Sequence, residues 1–433
     1  MRIAQLTPGA GGGFYCENCL RDGALVRAMG KIGHNVVLVP MYLPTGIEST
    51  TGVGKERVFY GGINVYLQQK FGFFRHTPRW LDGLFDSQRL LQWAASKVGM
   101  TSSADLADTT ISMLNGEEGR QVKELERLVE WLGLPDNRPD VVVLSNVMLI
   151  GMARFIKRRL GAKVVCLLQD EADFIDGLGD AGSARAWELI GRRCCDVDCF
   201  VSVSEYYAKV MRGRLGLETG RVRVLYTGID LDGYAGVLPW QGDPAIGFLS
   251  QMCDVKGLDI LVDAFFQLRS KEGLEGLRLC VAGGQSGADD GFISGLKSKL
   301  EAVGLLGAVD FLPEFDKASK LEFFGSISVL CVPEKNPPAY GLYVLEAGAA
   351  AVPVVQPDIG VFAELIAITG GGRVYLPNTA EGLVAAVEPF LRDKKMAREV
   401  GDVGRRNVFK KFDIDRSAAE LAAICAELCG GKN

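Results

Sequence analysis

Histidine is almost missing from this chain: 433 residues contain only His34 and His76. The scarcity bears on the single C-x-x-C, Cys16 and Cys19, because a zinc site built on it would need two further ligands. No basic region followed by an apolar core opens the sequence; "MRIAQLTPGAGGG" reads as a strand rather than a leader, so a cytoplasmic protein is expected. With eleven cysteines and no leader, a reducing compartment and mostly buried thiols are expected, with redox or metal roles for Cys16 and Cys19 left open. Long apolar runs are lacking as well. "VVVLSNVMLI", Val141 to Ile150, is half the length of a bilayer span. Nor is there a basic excess: the net charge of -5 offers no field for a nucleic acid, and no such partner is expected.

What is present is an ordinary globular composition, 48% hydrophobic and 23% charged, at a length suited to two domains. Short β-branched runs alternate with helix-length segments. In the first half they are "RIAQLTP", "NVVLVPMYL", "DVVVLSN", "KVVCLLQ", "CFVSVS" and "VRVLYTG". In the second they are "AIGFLS", "LRLCVAG", "VDFLP", "SVLCVP", "PVVQP" and "RVYLP". This alternation predicts an α/β protein with two Rossmann-like, doubly wound parallel sheets. "LDGYAGVLPWQGDP", Leu231 to Pro244, reads as the linker, giving domains 1–236 and 237–411. Ligands of such folds bind beyond the carboxyl ends of the strands, so a central cleft between the two domains is the expected site.

The loops after the strands carry the unusual residues. "PGAGGG", Pro8 to Gly13, precedes a helix predicted from about Cys19 to Ile32; Gly12 and Gly13 would let the backbone approach a phosphate or sugar, or form a merely tight turn. The spacing fails the dinucleotide fingerprint, since Phe14 stands where the third glycine belongs. In "SQMCDVKGLD", Lys256 and Gly257 open a predicted helix, where a cation is unfavourable unless an anion sits beside it. Glu346 is the one charged residue of "NPPAYGLYVLEAGAAAVPVVQP". A buried carboxylate needs a partner. The amides of Tyr340, Gly341 and Leu342 would hold an anion and Glu346 would accept from ligand hydroxyls; an ion pair with a buried arginine is the alternative.

In this order these residues resemble glycosyltransferase family 4, retaining enzymes of the GT-B architecture, most strongly from about Arg221 to Pro377. "VLYTGIDL", "KGLDILVDAF", "LRLCVAGG", "YGLYVLEAGAAAVPVVQP" and "GGGRVYLP" carry the likeness. The resemblance implies a nucleoside diphosphate sugar as donor and no cofactor besides it. Lys256 would hold the diphosphate, Gly341 and Leu342 would give it amides, Gly283 and Tyr340 would line the donor side, and Glu346 would bind the ribose. A C-terminal helix, 412–433, would cross back to the first domain. Three positions depart from the family. Pro338 replaces the first glutamate of E-x7-E, Gln251 replaces an arginine, and Gln169 in "LLQDEADF" replaces a histidine near the acceptor. Lys256, Gln251, Gln169 and Asp170 are thus the candidate catalytic positions, with Glu334 and Lys335 available beside Pro338. Asp170 would orient an acceptor hydroxyl, or serve a helix N-terminus with Glu171 and Asp173.

No metal site is expected, because the acidic pair of Asp196 and Asp198 precedes a strand rather than following one. Between Asn64 and Lys97, aromatics alternate with Lys70, Arg75, His76, Arg79 and Arg89. An acceptor-side lid, core packing and peripheral contact with the inner face of a membrane all fit that segment. The expected activity is a retaining, metal-independent hexosyltransferase acting on a hydroxyl of a glycan, lipid or small molecule. Its rival is a protein of the same fold that binds a nucleotide sugar or glycan without turnover; an epimerase or phosphorylase is a third reading.

Overall fold

The computed structural model describes residues 1–8, 17–41, 103–238, 240–285, 287–312, 316–430. Gly12, Gly13, Cys16 and the aromatic segment 64–97 lie outside them. The chain forms two compact units, Met1–Tyr226 with Ser417–Asn433, and Thr227–Arg416.

The first unit is built on a six-stranded parallel sheet ordered β2-β1-β3-β4-β5-β6. Its strands are β1 (Arg2–Thr7), β2 (Asn35–Pro40), β3 (Val141–Leu144), β4 (Lys163–Leu168), β5 (Cys199–Ser202) and β6 (Val222–Val224). They coincide with the six runs read from the sequence. β3, "VVVL", is buried at every position, as a strand covered by helices on both faces must be. The first helix, Glu17–Lys31, fills the connection from β1 to β2 and starts two residues before its predicted start. Side-chain caps set later helix starts: the Ser204 hydroxyl accepts from Tyr207 N at 3.1 Å to begin Glu205–Leu215.

The second unit repeats the plan with a parallel sheet ordered β12-β11-β10-β7-β8-β9. Here β7 is Ala245–Leu249, β8 Arg278–Ala282, β9 Val309–Leu312, β10 Val329–Cys331, β11 Val354–Pro357 and β12 Gly372–Tyr375. The helix after β10, Leu342–Ala349, is buried along its whole length, which explains its almost uncharged sequence. Strand order reverses between β1 and β3 in the first sheet and between β7 and β10 in the second. In open α/β sheets, ligands bind beyond the carboxyl ends of such pairs.

The division at Tyr226/Thr227 falls ten residues before the expected 236/237. Ile229 bridges to Asp413, and the Cβ position of Gly228 lies 2.4 Å from the Phe412 carbonyl oxygen, so this stretch packs with the second unit. The return crossing falls at 416/417 instead of 411/412. Among the described residues no helix is long and apolar enough to cross a membrane.

Candidate functional site

In the second unit, two loops meet beyond β7 and β10. Lys256 does not open the following helix as expected; it ends a short 3-10 turn, Asp254–Lys256, and the helix proper begins at Leu258. Between them Gly257 adopts a left-handed φ of +71°, and a Cβ there would stand 1.9 Å from the Pro333 carbonyl oxygen. Only glycine lets the loops approach so closely. The approach brings the Lys256 ammonium 2.7 Å from Glu334 Oε2, while the Tyr343 hydroxyl donates to Glu334 Oε1 at 2.6 Å. The anion that Lys256 called for is thus supplied in part from within. Lys335 has its own carboxylates, Asp254 at 2.7 Å and Asp259 at 2.9 Å.

Glu346, on the second turn of the buried helix, has a lysine as partner rather than an arginine. Lys320 Nζ, from the helix Lys317–Ser326, lies 2.6 Å from Glu346 Oε1. The other oxygen, Oε2, is buried without a hydrogen-bond partner. A buried carboxylate oxygen left so has capacity for a donor such as a hydroxyl. Tyr340 turns inward, its hydroxyl donating to the Thr227 carbonyl at 2.5 Å, and Gly341 and Leu342 are buried at the start of the helix. Pro338 is buried too, its carbonyl accepting from Val361 N at 3.1 Å.

On the β8 side, Gly283 has a φ of +127°, and a Cβ there would fall 2.0 Å from the Ser250 carbonyl oxygen. Gln251, in the arginine position, donates to Asp289 Oδ2 at 3.1 Å.

In the first unit the carboxyl ends of β1, β3 and β4 surround a buried polar cluster. Gln169 belongs to it instead of facing outward as an acceptor-side group would: it is 1% exposed, and Nε2 donates to Asp22 Oδ1 at 3.1 Å and to the Ser145 carbonyl at 2.7 Å. Asp22 also accepts from Gln5 Nε2 at 3.0 Å, Thr7 Oγ1 at 2.8 Å and the Ser145 hydroxyl. Burial raises its pKa although Ser145, Thr7, Gln169 and Arg21 pull the other way. Glu171 folds back so that Oε2 accepts from Gln169 N at 2.6 Å, and burial pushes its carboxyl up to about 7. The side chain therefore does not cap the short helix it precedes. Asp170, by contrast, is exposed and holds a φ of 80°, a conformation uncommon outside glycine that aspartate adopts more readily than most side chains.

Asp22, Lys320 and the pairing of Glu334 were not anticipated. Asp198 is engaged at the amino edge of the first sheet by Lys157 at 3.0 Å and Val164 N at 2.8 Å, at the opposite end of the strands from Asp22 and Gln169. Among the described residues no group of His, Cys, Asp and Glu is arranged to hold a metal.

Comparison with known proteins follows these two halves. The family model described as "Glycosyl transferases group 1" matches residues 237–407, and that of "Glycosyltransferase Family 4" matches 112–232. The lipopolysaccharide core biosynthesis mannosyltransferase LpcC of Rhizobium leguminosarum bv. viciae is 28% identical over 44% of this chain and 52% of its own. A D-inositol 3-phosphate glycosyltransferase of Jonesia denitrificans is 26% identical over 44% of each. The matched segments span about half the length of these curated relatives. Among solved structures, sucrose-phosphate synthase of Thermosynechococcus elongatus aligns over the whole of both chains with a TM-score of 0.69 at 16% identity. HepE of Anabaena in complex with UDP aligns over 99% of this chain and 100% of its own, at 0.67 and 14%. The fold is that of the GT-B glycosyltransferases. Within that fold, the chain belongs to glycosyltransferase family 4.

Proposed function

We propose that this protein transfers a hexose from a nucleoside diphosphate sugar to an acceptor hydroxyl, with retention of configuration and without a metal. The observation that carries the reading is the placement of Lys256 and Glu346 in one unit, on the two segments that follow β7 and β10, the pair at which strand order reverses. Lys256 offers a cation to a diphosphate, the amides opening the Leu342–Ala349 helix offer donors to the same charge, and the unpartnered oxygen of Glu346 offers an acceptor to ribose. Stabilising the leaving diphosphate in this way is the main demand of the reaction; a diphosphate oxygen takes the acceptor's proton as the hydroxyl attacks from the same face. The UDP named for HepE is consistent with such a donor.

The test is incubation with a panel of UDP-, GDP- and ADP-sugars, reading released nucleoside diphosphate and, with an acceptor, the anomeric configuration of the product by NMR. A second reading, binding without turnover, has specific support. Pro338 brings no ionisable group, Gln251 is uncharged, Gln169 is internal, and Lys256 is already ion-paired. Tight binding of a nucleotide sugar with no release in the presence of acceptors would favour it.

A further inference from the structure

The ion pair between Lys256 and Glu334 is unequal in exposure. Glu334 is 3% exposed, whereas the Lys256 side chain retains 25%. The carboxylate is thus the fixed partner and the ammonium the one that reaches solvent. The surrounding loop is tied down: the Glu334 carbonyl accepts from Asn378 Nδ2 at 2.8 Å, and Lys335 N donates to the Val255 carbonyl at 2.9 Å. Lys256 is the cation paired with this carboxylate; Lys335, next in the chain, is engaged by Asp254 and Asp259, and Gln251 carries no charge.

We propose that Glu334 is a specificity-determining carboxylate of the donor site, one that admits a sugar-bearing diphosphate ester to Lys256 while disfavouring the free nucleoside diphosphate. The proposal rests on the reading of Lys256 as the diphosphate ligand. An ammonium carries three protons, so a bond to Glu334 and another to a phosphate oxygen are compatible. Two acceptors on one tetrahedral nitrogen at hydrogen-bond distance stand roughly 4.5 Å apart. At that separation, in a partly desolvated site, like charges repel appreciably. A nucleoside diphosphate sugar carries two negative charges. When the sugar leaves, the terminal phosphate loses its ester link and gains a second ionisation at about pH 6, so the product carries a third charge at pH 8. Glu334 therefore opposes the product more than the donor and favours its release.

The experiment compares equilibrium binding of UDP, GDP and ADP with that of UDP-glucose, GDP-mannose and ADP-glucose at pH 8. It uses the full chain and its Glu334→Gln variant. Glutamine keeps the shape and still accepts from Lys256. For the base that binds, the ratio of Kd for the free diphosphate to Kd for the sugar ester should fall relative to wild type by about tenfold or more in the direction of tighter diphosphate. Glu334→Ser should move the ratio the same way, which keeps the test decisive if glutamine disturbs folding; circular dichroism and thermal melts establish that each variant is folded. An unchanged ratio in the folded variants overturns the proposal. Parallel weakening of both ligands also overturns it, by reducing Glu334 to a support for Lys256. Failure of every probe to bind wild type and variants alike removes the donor reading together with this proposal.

Discussion

Lys320 lies 2.6 Å from one oxygen of Glu346 and leaves the other without a partner, in a pair whose side chains are 14% and 6% exposed. The arrangement holds a buried acid in one orientation and reserves one of its oxygens for a donor. A residue with no direct part in ligand binding thereby controls one that has such a part under the proposed function.

Lys320→Met should leave Glu346 buried and unpaired. Breaking a buried ion pair in this way costs about 3 kcal/mol, and exchanging both partners for apolar residues costs less. Urea unfolding of Lys320→Met, Glu346→Leu and the double variant checks this, with the double variant expected to be more stable than Lys320→Met. A Lys320→Met protein as stable as wild type would show that the pair contributes nothing to the fold.

The Glu171 carboxyl makes a prediction about pH. Its folded pKa of about 7 stands above the ordinary 4.5 because of burial. A raised acid pKa favours the protonated folded state, so this contribution is fully present below pH 4.5 and is lost as pH rises toward and through 7. Across that interval the loss amounts to about 3 kcal/mol. Glu171→Gln, which cannot ionise, should therefore gain stability relative to wild type as pH is raised from 4.5 to 8, measured by denaturation midpoints at each pH. Parallel pH profiles for the two proteins would contradict the assignment.

Gly257 tests the close approach of the two loops. Alanine there meets the Pro333 carbonyl at 1.9 Å and must also hold a φ of +71°. A loss of more than about 2 kcal/mol is expected, together with displacement of Lys256 from Glu334. Gly30→Ala is the control: nothing lies within 4 Å of its Cβ position, near the end of the first helix, and stability should be unchanged or rise by roughly 0.5 kcal/mol. Equal effects at the two glycines would contradict the loop geometry.

The sheets were legible because strands buried on both faces must be written in β-branched apolar residues, as "VVVL" and "KVVCLL" are. Glu346 was legible for the opposite reason, as a lone charge in an apolar run. Its partner was not, since Lys320 comes from a helix 26 residues upstream and nothing local distinguishes it from a surface lysine. Glu334 stood in view, but its pairing with Lys256 spans 78 residues and depends on the left-handed turn at Gly257. The resemblance to family 4 puts Gln169 in a histidine's place near the acceptor, and nothing local in the sequence shows that its side chain is internal. The contacts that bury it, from Asp22 and Ser145, come from other strands and helices. The domain boundary moved for a similar cause: Gly228 and Ile229 are held by Phe412 and Asp413, far away in the chain.

The central claim is that Lys256 and Glu346 serve one nucleotide sugar. Its most direct test is release of nucleoside diphosphate from the sugar panel by wild type, Lys256→Ala and Glu346→Ala, with binding measured alongside. The account predicts turnover of one donor by wild type, a rate lower by roughly one to three orders of magnitude in Lys256→Ala, and weakened nucleotide binding in Glu346→Ala. Wild-type rate and affinity in both variants would contradict it.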